Sequence, residues 1–294
     1  MIVVTAPTSK IGSQLLNHLL AANRPVRVIA RDASTLPAET RARVDIIEGS
    51  HGDAATVQRA FAGARSLFWL VPANPKATDV TQAYVDFSRP AAAAIKTSGI
   101  TQVVDITALG RGTPQAANAG YVTGSLAMDD LIAATGVHLR ALAMPSFMDN
   151  LLMQLQPLRE QGRFFLPIAG DLPLPSCSTA DIAEVAARWL LDDRWQGQQE
   201  VPVLGPENIS FNHMARIMSE VLGRDIAYQQ IPLEAYQAQF LRFGFSEGMA
   251  EGMAAMARAK GEGLDLGVVR TADTRTSTHF RQWCESILKP AFLA

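Results

Sequence analysis

Cysteine, aromatic residues, excess charge of either sign and long apolar runs are all scarce in this sequence of 294 residues, and each scarcity excludes something. There are two cysteines, Cys177 and Cys284, far apart and without metal-ligand spacing around them. That excludes a disulfide scaffold and a zinc site, so two reduced thiols and no bound metal are expected. The 26 Lys and Arg balance 28 Asp and Glu to a net charge of -2, which gives no general cationic field for nucleic acid. No apolar run approaches the roughly 18 residues needed to span a bilayer, and the N-terminus lacks a basic segment followed by a long apolar stretch. The expectation is a cytoplasmic protein with neither a membrane nor a nucleic-acid partner. What is present is 48% apolar and 18% charged residues, the balance of a globular chain long enough for one large domain or two modest ones.

The hydrophobic period changes repeatedly along the first half. Met1 to Thr5 is a short apolar run, and Ile11, Leu15, Leu16, Leu19 and Leu20 then recur at helical spacing. Further strands are expected at 26–30, 44–47, 67–71, 102–106 and 138–143. Helices are expected from 54 to about 61, as one long element over 78–97, and over 121–135. Consecutive parallel strands need crossovers, so this alternation specifies an α/β fold, a doubly wound parallel sheet covered on both faces. After Pro145 the alternation weakens. Residues 150–161 read as a helix and 164–175 as a loop or short strand. A helix over 179–191 is capped by Ser178 or Thr179, and 201–205 forms an added edge strand. Helices follow over 210–222 and most of 232–260. The expected division is a doubly wound domain over 1–150, with 178–205 returning to it, and a smaller, mostly helical domain from 151–177 and 206–294.

In a doubly wound sheet the ligand crevice lies beyond the C-terminal strand ends. The first turn there reads Thr5-Ala6-Pro7-Thr8-Ser9-Lys10-Ile11-Gly12 and keeps the spacing of a phosphate-binding glycine motif at Ala6, Ser9 and Gly12. Backbone N–H groups and the positive end of the following helix can hold a pyrophosphate there, with the Thr8 and Ser9 hydroxyls adding hydrogen bonds. A purely structural turn has the same appearance.

This turn is joined by Val28-Ile29-Ala30-Arg31-Asp32, by Val103-Val104-Asp105-Ile106-Thr107-Ala108-Leu109-Gly110, by Pro145-Ser146-Phe147-Met148-Asp149-Asn150-Leu151-Leu152 and by Thr179-Ala180-Asp181-Ile182-Ala183. In the order and spacing of these segments, over nearly its whole length, the chain resembles the NmrA-like family of atypical short-chain dehydrogenase/reductases. The resemblance implies a Rossmann domain binding NAD(P) and a smaller domain closing a substrate cleft. The chain departs from the family at Ala6 and Ser9, where glycine is usual, and at Ser50, where an aspartate near the adenine is common.

Arg31 stands nineteen residues after Gly12, at the end of the second strand, where an acidic residue would serve an unphosphorylated ribose and an arginine a 2′-phosphate. A charge-assisted hydrogen bond contributes roughly 1.5 to 3 kcal/mol, and Lys10 adds charge on the same side. NADPH is therefore expected over NADH. Asp32 is the rival, able to serve the ribose if the strand ends one residue later. His51, after the third strand, lies near the expected adenine position. Val71 and Pro72 after the fourth strand, Thr107 after the fifth, and Pro145 and Phe147 after the sixth are expected to face the nicotinamide, with loop packing as the alternative for Pro72 and Phe147.

Short-chain dehydrogenases commonly place Tyr and Lys four residues apart on one helix. Here Tyr121 is kept and Ser125 stands in the lysine position. Tyr121 and Thr107 are the candidate catalytic residues. Without the lysine, reduction of a quinone-like acceptor is favoured, because its phenolate-like product needs less acid assistance than an alkoxide. Met249, Met253 and Met256 form a helical stripe after Phe240, Phe243 and Phe245, either core or an adaptable apolar wall for an aromatic substrate. The expected function is NADPH-dependent reduction of a quinone-like or conjugated small molecule. The alternative is a non-catalytic NAD(P)-sensing regulator acting through a protein partner.

Overall fold

The computed structural model describes all residues, 1–294. Its strands are β1 (Ile2–Val4), β2 (Val26–Ala30), β3 (Asp45–Glu48), β4 (Ser66–Trp69), β5 (Gln102–Ala108), β6 (His138–Met144), β7 (Ser146–Phe147), β8 (Arg163–Leu166), β9 (Leu174–Cys177), β10 (Gln198–Pro202), β11 (Asn208–Ile209) and β12 (Ala227–Gln230). Seven of them form one sheet in the order β10-β6-β5-β4-β1-β2-β3. The neighbours from β3 through β2, β1 and β4 to β5 pair in parallel, with Val4 opposite Val28 on one side and Phe68 on the other. The strand order reverses between β1 and β4. That is the switch point at which a doubly wound sheet opens a crevice, and the expected fold class holds.

Chain contacts group Met1–Ala108, Gly124–Ala143 and Ile182–Val201 into one compact unit, and Leu109–Thr123, Met144–Asp181 and Pro202–Ala294 into another. The stretch 109–123, assigned from sequence to the first domain, thus packs with the second unit. Val3, Phe61, Leu67, Trp69, Val103, Met128 and Leu139 lie within the core of the first unit. Leu158, Phe164, Met218, Phe280, Trp283 and Leu288 lie within that of the second, where Phe280 and Trp283 stack with ring centroids 5.7 Å apart.

Several elements differ from the sequence reading for physical reasons. The single helix expected over 78–97 is a π-helical turn, Gln82–Asp86, running into an α-helix, Phe87–Thr97. Pro90 inside that helix has no N–H to give the carbonyl four residues back, and the ladder shifts upstream of it. The helical stretch 232–260 divides into Leu233–Arg242 and Glu247–Gly261, with Gly244 at φ 82° between them. The edge strand lies at Gln198–Pro202 instead of 201–205, and Pro202 falls at its end, where a missing donor is tolerated. The segment 164–175 supplies β8, which pairs in parallel with β12, and β9, which pairs with β7 and β11.

Candidate functional site

The first turn is held from beneath. Thr5 is fully buried. Its hydroxyl lies 3.1 Å from the carbonyls of both Phe68 and Leu70 and accepts from the Leu70 N–H at 2.8 Å, clasping the end of β1 to the end of β4. Thr5 thus spends its side chain on the sheet, and its neighbours shape the turn above. Ala6 sits at φ 47°, the left-handed conformation that glycine adopts freely and alanine only at a cost of roughly 1 to 2 kcal/mol. The Ala6 carbonyl then accepts from both the N–H and the hydroxyl of Ser9, at 3.0 and 2.8 Å.

Ser9 is the N-cap of the helix Lys10–Ala21, and its oxygen accepts from the Gly12 N–H at 3.0 Å. Its hydroxyl proton is directed to the Ala6 carbonyl. Thr8 is exposed, and Ile11 is buried under the helix. A Cβ at Gly12 would lie 2.2 Å from the Ala6 carbonyl oxygen, so only glycine fits there. The third position of the motif is a packing requirement, while the first two are met by an alanine bent into a glycine conformation and a serine that caps.

At the end of β2 the two rivals separate. Asp32 is the N-cap of the short 3-10 turn Ala33–Thr35, and its carboxylate accepts from the Ser34 N–H at 2.8 Å. Its hydrogen bonds to Ser34 hold its pKa below the usual carboxylate value. Arg31, exposed, is the first residue after the strand. The Gly49 N–H bonds the Ala30 carbonyl at 2.9 Å, which brings the end of β3 beside it. Ser50 there accepts from the Gly52 N–H at 3.2 Å.

His51 turns inward, edge-on to Trp69 and Phe87 with centroids 5.2 and 4.8 Å away. Burial lowers its pKa to about 4. A backbone hydrogen bond at Leu70 opposes this shift, and the charge of Arg31 adds to it. His51 is therefore neutral at physiological pH, and its Nε2 is buried without a hydrogen-bond partner.

Further along the sheet, Val71 is buried and follows β4, with Pro72 next in the chain. Thr107, near the end of β5, is 5% exposed and shares a 2.9 Å hydrogen bond with Ser125, also 5% exposed. Ser125 lies on the helix Tyr121–Ala133 in the place of the missing lysine. Gly124 lets this helix approach closely: a Cβ there would come within 2.9 Å of the Val80 carbonyl oxygen and Tyr84 Cδ2. Sequence reasoning noted Ser125 only as a loss, because its partner is 18 residues away on another element.

The second unit holds the remaining candidates. Burial pushes the Tyr121 phenol up to about 12, with Tyr236 a lesser cause. A phenol activated by a lysine would shift the other way. Pro145 is buried, and Phe147 pairs opposite Cys177 in β7. Other residues of the recognised segments serve as joinery. Asp149 accepts from the N–H and hydroxyl of Thr179, both at 3.0 Å. The Asp181 carboxylate accepts from the Thr278 hydroxyl at 2.7 Å, and Ser178 caps the Asp181 N–H at 3.1 Å. Lys260 and Asp265, 6% and 2% exposed, form an ion pair of 2.5 Å. Of the methionine stripe, Met249 is core, Met253 and Met256 are half-buried, and the nearby Phe243 is 75% exposed.

The small-residue turn, the strictly required Gly12 and the twelve-residue helix behind them fit a dinucleotide pyrophosphate. Comparison with known proteins agrees. The NAD(P)H-binding family model matches residues 7–193 and the NmrA-like family model residues 130–283. An NAD(P)H azoreductase from Xenophilus azovorans is 27% identical over 253 residues, 86% of this chain and 85% of the relative. A (4-alkanoyl-5-oxo-2,5-dihydrofuran-3-yl)methyl phosphate reductase from Streptomyces griseus subsp. griseus is 26% identical over 287 residues, 96% of each chain. The crystal structure of an NADPH-dependent quinone oxidoreductase from Escherichia coli, complexed with NADPH, shares the fold with a TM-score of 0.79 at 20% identity, over 98% of this chain and 100% of that one. Order of segments, sheet topology and first turn converge, and the chain belongs to the NmrA-like family of NAD(P)H-binding proteins.

Proposed function

We propose that this protein is an NADPH-dependent reductase that passes a hydride to a flat, conjugated acceptor of the quinone type. The observation that carries the cofactor choice is the separation of Arg31 from Asp32: the carboxylate is committed to its own turn, and Arg31 stands exposed immediately after the strand. The N–H groups and positive tip of the helix Lys10–Ala21 would hold the pyrophosphate, and Arg31 with Lys10 the 2′-phosphate. Bound there, the reduced nicotinamide supplies the hydride. Val71, Pro72 and Thr107 follow or end the strands on the far side of the switch point, where they would line the nicotinamide position.

The choice of acceptor follows from acid strength. With its pKa raised to about 12, Tyr121 keeps its proton, and the lysine that would activate it is absent. Such a site suits an acceptor whose reduced anion is stabilised by conjugation. The names borne by the relatives, an azoreductase and a quinone oxidoreductase, support this choice.

Titration with NADPH and NADH tests the cofactor assignment. Arg31→Ala is expected to weaken NADPH about tenfold or more and to leave NADH nearly unchanged; equal loss of both contradicts it. Single-turnover oxidation of bound NADPH by a quinone panel tests the chemistry. Tight NADPH binding without oxidation by any acceptor would point instead to a nucleotide-sensing regulator acting through a protein partner.

A further inference from the structure

The Thr107–Ser125 pair contains one more proton than it uses. Both hydroxyls are nine-tenths buried or more, and their mutual bond of 2.9 Å consumes one of the two O–H donors. A helical serine ordinarily donates to the carbonyl one turn back, whereas Ser125 reaches across to β5. A buried donor lacking an acceptor costs roughly 1 to 3 kcal/mol. The arrangement is therefore complete only when an acceptor oxygen arrives at the C-terminal end of the sheet. Resting on the reductase reading above, we propose that Ser125 is a positioning residue: it fixes the Thr107 hydroxyl so that the pair presents one O–H to the acceptor oxygen that gains negative charge on reduction.

The pair acts as a hydrogen-bond donor and does not itself give up a proton. The two electrons and the hydrogen of the hydride go to the acceptor, NADPH becomes NADP⁺, and the proton that completes the reduced product comes from solvent. A neutral donor of this kind stabilises a delocalised anion without a matched acid. The serine thus has a task of its own in the position where a lysine would otherwise stand.

Ser125→Ala and Ser125→Thr test this. With a quinone acceptor, Ser125→Ala is expected to lower kcat by about tenfold to a hundredfold while leaving KM for NADPH unchanged, and Ser125→Thr is expected to restore most of the loss. A binding readout accompanies it: in the NADP⁺ complex, 4-nitrophenol is titrated at pH values on either side of its own pKa. The wild-type protein should prefer the phenolate, and Ser125→Ala should lose that preference. If the wild-type protein reduces quinones and prefers the phenolate but Ser125→Ala behaves identically, the proposal is overturned and the reductase reading stands. If the wild-type protein neither oxidises NADPH nor distinguishes phenolate from phenol, the reductase reading falls and takes the proposal with it.

Discussion

The first turn and the polar cluster of the second unit use similar residue types in opposite ways. Around Thr5 to Gly12, side chains are spent on the backbone so that the helix tip faces outward. Around Asp149, Asp181, Lys260 and Asp265, carboxylates meet hydroxyls, N–H groups and an ammonium inside the unit. The two polar groupings are therefore of different kinds, one shaping a surface for a ligand and one closing on itself. The difference is measurable, because damage to the second kind should cost stability whether or not nucleotide is present.

The largest effect is expected from Asp265→Ala, which leaves the Lys260 ammonium buried without its counter-charge. Removing one partner of a buried pair costs about 3 to 5 kcal/mol, whereas replacing both by apolar residues is often close to neutral. Urea denaturation should register the single loss and its recovery in the double variant Lys260→Met/Asp265→Leu. An unchanged midpoint for Asp265→Ala would erase the contrast between the two regions.

Next in size is a pH effect in the first unit. His51 has a folded pKa lowered to about 4, below its ordinary 6.5, so folding favours its neutral form. Its contribution is complete above about pH 6.5 and declines as the pH falls towards 4, by at most about 3 kcal/mol at 1.36 kcal/mol per pH unit. His51→Leu should flatten that part of the stability profile. A parallel decline in both proteins would assign the acid sensitivity to other groups.

The smallest effect is expected at the cap. Ser9→Ala should lower stability by about 1 kcal/mol, the usual loss for an N-cap, and thermal unfolding would register it. The same change frees the Gly12 N–H, which the Ser9 oxygen now occupies. A rise in NADPH affinity alongside the fall in stability would establish that cap and ligand compete for one donor.

Much of the first unit was legible because its strands are apolar runs that give way abruptly to helical spacing. Val26–Ala30 and Ala54–Phe61 fall where that pattern puts them, and so does Thr179–Leu191 later in the chain. The pairing of β8 with β12 was not legible, since Ala227-Tyr228-Gln229-Gln230 has no apolar alternation and its partner lies more than sixty residues earlier. At the site, sequence left Arg31 and Asp32 as rivals because their roles turn on a cap only two residues long. The role of Ser125 required knowing that β5 and the helix Tyr121–Ala133 meet, which neither segment records alone.

The Thr5 clasp has a thermodynamic consequence. A loop that must be gathered around its ligand loses conformational freedom on binding and gives back part of the contact energy. Here the Thr5 hydroxyl, the carbonyls of Phe68 and Leu70 and the Leu70 N–H, at the ends of β1 and β4, together with the carbonyl of Ala6, set the floor before any nucleotide arrives. Association should then carry little ordering entropy, and amide exchange at Leu70 should be slow in the empty protein and scarcely slower in the filled one.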